Sequence, residues 1–167
     1  MRVTTPYKSP FGMLEIEASD EGISAIRWPS TPDDKEPDPR ISASSSGRPE
    51  SPLLQTAKAQ LDEYFQGARN NFELPLSLTG TPFQRLVWDA LKAIPYGATR
   101  SYGAIANAID RPRAVRAVGR AIGSNPIPLI IPCHRVIGAG GKLTGFSGGL
   151  DRKRWLLHRE DVALACQ

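Results

Sequence analysis

The chain is poor in the residues that make frameworks and metal sites. Its 167 residues include two cysteines and two histidines. Two cysteines, Cys133 and Cys166, are too few for the disulfide scaffold of a small secreted domain. Residues 1–132 hold neither cysteine nor histidine, and no Cys or His group has zinc-ligand spacing. The sequence therefore predicts no metal. No apolar run approaches the roughly 20 residues that span a bilayer, so no membrane partner is expected. The opening Met1-Arg2-Val3-Thr4-Thr5-Pro6 lacks the apolar core of a signal peptide. A cytoplasmic protein is expected, in which a reducing milieu keeps Cys133 usable. Acidic charge is scarce in the second half. Residues 81–167 carry 13 Lys/Arg against 5 Asp/Glu, whereas residues 1–80 carry 8 against 12. A small basic half points to a polyanionic partner, most simply nucleic acid.

The length suits one medium domain or two small ones. The pattern divides the chain at 1–78 and 79–167. Residues 7–10 lead into a period-two strand at 11–18, turn chemistry follows at 19–22, and a second strand runs over 23–28. Residues 29–50, rich in Pro, Ser, Asp and Arg, read as a long mobile loop. Ser51-Pro52 then opens a helix with Leu54, Ala57, Leu61, Tyr64 and Phe65 on one face, ended by Gly67. Residues 72–80 look extended. In the second half, Thr81 caps a helix with Pro82 at its first position and Phe83, Leu86, Val87, Ala90 and Leu91 as its apolar face. Ser101 caps a short helix over 102–109. A turn at 110–113 leads to a helix over 114–122, and a last helix spans 151–161. Two short helices across a tight turn, with arginines at 111, 113, 116 and 120, suggest a helix-turn-helix.

One segment carries chemistry. Leu129-Ile130-Ile131-Pro132-Cys133-His134-Arg135-Val136 sets a scarce nucleophile beside a scarce base at the end of an apolar run. A thiol attacks only as its thiolate, and an adjacent base makes the thiolate cheaper to form. The dipeptide alone also fits a buried, inert cysteine.

Pro132-Cys133-His134-Arg135-Val136 resembles the core of the O6-alkylguanine-DNA alkyltransferase family, the suicidal methylated-DNA–protein cysteine methyltransferases. Further blocks match in the same order: Thr81-Pro82-Phe83-Gln84, Ser101-Tyr102-Gly103-Ala104-Ile105-Ala106, Arg113-Ala114-Val115-Arg116-Ala117-Val118-Gly119, Gly123-Ser124-Asn125-Pro126-Ile127-Pro128, Gly145-Phe146-Ser147-Gly148-Gly149 and Trp155-Leu156-Leu157. Together they cover residues 81–160 nearly without gaps. The resemblance implies an α+β protein. A small ribonuclease-H-like α/β unit would precede a helical, winged-helix-like domain carrying both DNA binding and chemistry.

The resemblance also implies roles. Cys133 would attack the alkyl carbon and displace guanine. His134 would take the thiol proton through a bridging water, Glu160 would orient the imidazole, and Asn125 would hold the local network. Tyr102 would help rotate the nucleotide out of the stack and give its proton to the departing guanine. Arg116 would fill the vacated space, with Arg113, Arg120 and Ala114 completing the DNA-contacting set. The glycine-rich stretch 138–149, with Phe146, Ser147, Gly148 and the apolar wall at Pro128, would wrap the base. Phe146 departs from the tyrosine common there, so a hydroxyl is lost. A thioether is a poor leaving group, which implies a single turnover and no cofactor. The expected partner is double-stranded DNA bearing O6-alkylguanine, with O4-alkylthymine as a second substrate. A monomer is expected, with cooperative binding along DNA left open. Three other readings stand beside this one: a non-catalytic alkylation-damage sensor, a cysteine hydrolase and a helix-turn-helix regulator.

Overall fold

The computed structural model describes residues 1–28, 49–146 and 148–162. The loop expected at 29–50 therefore lies outside the described residues except for its last two, and Ser147 and Cys166 lie outside them too. The chain divides into two compact units, Met1–Thr79 and Gly80–Gln167.

Among its described residues, the first unit holds a three-stranded antiparallel sheet and one helix. Strands β1 (Val3–Ser9), β2 (Gly12–Ser19) and β3 (Gly22–Arg27) lie in sequence order. The sequence reading started the first strand too late. Val3, Thr4 and Thr5 favour extended backbone, and the ladder begins at Val3 opposite Ala18. Pro6 is tolerated because, among the described strands, β1 lies at the edge of the sheet and pairs with β2 alone. Helix α1 (Pro52–Gln66) is capped by the Ser51 hydroxyl, which accepts from the Leu54 amide, and closes on Gly67 in the left-handed region. It buries Leu54, Ala57, Leu61 and Tyr64, and Leu14, Ile16, Ile23 and Ile26 of the sheet are buried with them. The Gln60 side chain pairs with both the amide and the carbonyl of Glu73, which fixes the extended stretch after α1. That stretch bridges Ile23 through Leu76. Gly22 is required there, since a Cβ would stand 2.5 Å from the Pro75 carbonyl oxygen.

The second unit is helical. Helix α2 (Pro82–Lys92) begins in a capping box between Thr81 and Gln84. Its buried face is Val87, Trp88 and Leu91, while Leu86, expected inside, is 46% exposed. Trp88 takes the inner position because its indole N–H finds a partner in the Ala121 carbonyl at 2.8 Å. Strand β4 (Arg100–Ser101) runs into α3 (Tyr102–Ala108), capped by Ser101. Asp110, in the left-handed region, turns the chain towards α4 (Val115–Gly123). Helices α2, α3 and α4 contact one another pairwise and bury Ile105, Val118 and Ile122. A 3-10 turn at Cys133–Arg135 leads into β5 (Val136–Ile137), and α5 (Leu150–Arg159) ends the described unit. No helix among the described residues is long and apolar enough to cross a membrane.

Candidate active site

A two-residue ladder assembles the site. β4 and β5 pair in parallel, Arg100 opposite Val136 and Ser101 opposite Ile137. The pairing joins the strand that leads into Tyr102 to the strand that leaves the Cys133 turn, residues 36 apart in sequence. Behind Cys133, the apolar run folds into a tight turn. Leu129 adopts a left-handed conformation (φ 74°) with its side chain buried. Asn125 holds that turn from inside: its Nδ2 donates to the Ile131 carbonyl at 2.8 Å and its Oδ1 accepts from the Ile127 amide at 3.0 Å. Its side chain also hydrogen-bonds Cys133. Asn125 is thus at once a turn residue and part of the thiol's surroundings.

Cys133 is 4% exposed. Burial pushes its thiol up to about 11, against the Asn125 hydrogen bond, the Lys153 charge and two backbone amides, which all favour the thiolate. The neighbouring His134 has no exposed surface. Burial holds its imidazole below the ordinary range, outweighing the bond and charge of Glu160. The ring is therefore neutral at pH 7. Its Nε2 meets Glu160 Oε2 at 3.0 Å. An ionised carboxylate only accepts, so Nε2 carries the proton and Nδ1 keeps a lone pair. That Nδ1 is buried and has no hydrogen-bond partner. The arrangement is a neutral imidazole held at one nitrogen by a carboxylate, with a lone pair on the other that no hydrogen bond occupies.

Glu160 is not inside the last helix, as its spacing suggested, but at the C-cap of α5, where the turn folds its carboxylate inward. Desolvation alone would raise it, yet the bonds and charges of His134 and Arg135 hold it at about 2. The His134 hydrogen bond comes first among these, followed by that of Arg135. The Arg135 Nη2 reaches Oε1 at 2.5 Å, and its Nε lies 3.0 and 3.1 Å from the two oxygens. Its Nη1 donates to the Ile94 carbonyl, and its guanidinium stands 5.8 Å from the Tyr96 ring centroid.

Arg135 and Lys153 escaped the sequence reading. Lys153 is fully buried, donates to the Val136 and Thr144 carbonyls, and is pulled down to about 8 by desolvation, the nearby Cys133 opposing. Lys153 stands among Asp151, Arg152, Arg154, His158 and Arg159, so composition does not set it apart. Its one available signal was its alignment with the buried Leu156 and Leu157, three and four residues on.

The remaining expected residues fall in two places. Tyr102 is half-buried at the start of α3, with Phe146 half-buried and Pro128 and Gly148 buried in the same unit. Arg113, Arg116 and Arg120 are exposed on or just before α4. Arg116 and Arg120, four apart, share one face of the helix. Ala114 is the N-cap of α4 and supplies no side-chain cap to its first amides. No group of three or more metal-binding side chains occurs among the described residues.

Comparison with known proteins places the chain in a family. Residues 82–162 match the model of the 6-O-methylguanine DNA methyltransferase DNA binding domain. Residues 3–78 match the ribonuclease-like domain of the same proteins. The chain belongs to the 6-O-methylguanine DNA methyltransferase family. A methylated-DNA–protein-cysteine methyltransferase of Mycolicibacterium paratuberculosis is 48% identical over 91% of this chain and 88% of its own length. The constitutive enzyme of that name from Bacillus subtilis is 42% identical over 98% of both chains. Among solved structures, Mycobacterium tuberculosis O6-methylguanine methyltransferase superposes with a TM-score of 0.80 at 43% identity, covering 99% of this chain and 97% of the other. M. tuberculosis OGT in complex with DNA gives 0.78 at 44% identity, covering 96% and 92%. The α+β architecture expected from the resemblance, a small sheet unit before a helical DNA-binding one, is that of the family.

Proposed function

We propose that this protein repairs O6-alkylguanine in duplex DNA by moving the alkyl group irreversibly onto Cys133. The observation that carries this reading is the buried Cys133-His134 pair, with Glu160 on Nε2 and Nδ1 unclaimed. The thiol proton passes to His134 Nδ1 through a bridging water. The sulfur forms a bond to the alkyl carbon, and the bond from that carbon to O6 breaks. Guanine leaves with the electron pair and takes a proton from Tyr102, which solvent replaces. The thioether has no route back, so one molecule repairs one base without a cofactor.

The base must first leave the stack, at a cost of a few kcal/mol that damage lowers. Arg116, exposed on α4, occupies the gap, while Arg113 and Arg120 neutralise phosphates beside it. The uncapped amides at Ala114 suit a phosphate oxygen. Phe146, Pro128, Ser147 and Gly148 enclose the extruded base, and the same pocket would take O4-alkylthymine. The protein works as a monomer in the cytoplasm. A damage sensor would share the basic helix but has no use for Cys133 with a positioned base.

Intact mass after mixing with an oligonucleotide bearing one O6-methylguanine tests the reading. A gain of about one methyl (~14 Da), absent in Cys133→Ala, is expected. DNA binding without mass gain would make the protein a sensor or regulator.

A further inference from the structure

Tyr102 meets the glycine-rich stretch through one residue. Its hydroxyl donates to the Thr144 carbonyl at 3.3 Å and accepts from Thr144 Oγ1 at 3.2 Å. Thr144 is itself held from two other sides. The buried Lys153 ammonium donates to the same carbonyl at 2.9 Å. The threonine methyl lies over Gly138, where a Cβ would come within 3.1 Å of it. A threonine carries its methyl and hydroxyl on one stiff carbon, so seating the first aims the second. Here it is aimed at Tyr102. Lys153 also donates to the Val136 carbonyl, so the strand leaving Cys133, Thr144 and Tyr102 share one hydrogen-bonded path.

We propose that Thr144 is a positioning residue for the proton transfer by Tyr102. Its hydroxyl donates into the phenol oxygen while that oxygen gives its proton to the departing guanine. The bond between carbon and O6 breaks, guanine keeps the pair and gains the phenol proton, and the Thr144 O–H meets the charge left on the phenol oxygen. In the free protein Thr144 is exposed and water competes for both groups. An extruded base excludes that water, and a hydrogen bond to a developing charge then gains weight. The inference rests on Tyr102 acting as the proton donor.

Single-turnover transfer from an O6-methylguanine oligonucleotide to Cys133 tests both steps. Thr144→Val keeps the methyl over Gly138 and removes only the hydroxyl. Its transfer rate should fall about tenfold, the weight of a hydrogen bond to a charged group. The Kd for the oligonucleotide should stay within about twofold. Thr144→Ser should recover to within about threefold of wild type. In a Tyr102→Phe background, Thr144→Val should add nothing. A Thr144→Val rate equal to wild type, with Tyr102→Phe slow, overturns the role of Thr144. An equal loss in both backgrounds also overturns it, because the effect would then be structural. A Tyr102→Phe rate equal to wild type would instead refute the donor reading on which it rests.

Discussion

Replacing Glu160 with glutamine should cost stability in a way that depends on pH. The carboxylate is 1% exposed and is held at about 2 against an ordinary 4.5. Its folded value is depressed, so between the two values the unfolded chain binds a proton that the folded chain does not. The stabilisation is therefore complete above 4.5 and is lost as pH falls through about 2. At about 1.4 kcal/mol per pH unit the gap amounts to ~3 kcal/mol at pH 7. Less than half of it remains at pH 3. Glutamine keeps the shape but leaves the Arg135 guanidinium, 5% exposed, without its counter-charge. Urea unfolding followed by tryptophan fluorescence at pH 7, 5, 4 and 3 reads the difference between wild type and Glu160→Gln. The difference should be near 3 kcal/mol at pH 7 and narrow steadily below pH 4.5. A gap that stays constant over that range, or that is absent at pH 7, would refute a buried ionised Glu160.

Other outcomes follow from the same geometry. With the Cys133 thiol pushed up to about 11, its carbamidomethylation by iodoacetamide in the free protein, read at the Cys133 peptide, should still be rising between pH 8 and pH 10; a plateau below pH 7 would mean a thiolate already formed at rest. Methylated protein should melt several degrees below unmodified protein, because a carbon is added at a side chain 4% exposed, and overpacking costs about 1–3 kcal/mol; an unchanged or higher melting temperature contradicts this. Arg116→Ala should slow transfer from duplex DNA at least tenfold, yet leave transfer from the free modified base within about twofold; equal loss on both substrates would place Arg116 in the chemistry instead. Arg113→Ala and Arg120→Ala should each lower the slope of log Kd against log salt by about one, and a slope that does not move would remove that arginine from the phosphate contacts.

Local chemistry made the helices legible and tertiary chemistry hid the rest. Ser51, Thr81 and Ser101 each announce a helix that the structure caps with that same hydroxyl. Leu86 was misplaced because periodicity counts it apolar, whereas only Trp88 has both the bulk and the N–H that the Ala121 carbonyl requires. β4 and β5 are two residues each, too short for any pattern to show, although their pairing ties the strand before Tyr102 to the strand after Cys133. Arg135 stood inside the most informative segment and still went unassigned. Its partner Glu160 is 25 residues away, and a buried charge reveals itself only through the residue that neutralises it. Lys153 failed for the same reason, since its partners are backbone carbonyls that carry no sequence signal.

The burial of Cys133 makes sense for a nucleophile used once. A turnover enzyme needs an accessible, poised thiolate and an exit for product. A thiol that keeps its alkyl group needs neither. Its hazard is premature loss to solvent electrophiles and oxidants, which attack the thiolate and require access. In this fold the thiol is 4% exposed and burial favours its protonated form, so both routes are slowed. The groups that favour the thiolate are already in place: Asn125 on the sulfur, Lys153 behind it and His134 with a free lone pair. Burial opposes all of them at rest. It stops opposing them once charge flows from sulfur to guanine, because the anion is then spread across the reacting atoms and not confined to sulfur. The same low-dielectric enclosure therefore raises the barrier to idle reaction and strengthens the fixed dipoles that act when a base is bound. Opening the pocket, for instance by Ile131→Ala beside Pro132, would remove both effects together, making the resting thiol easier to modify and transfer slower.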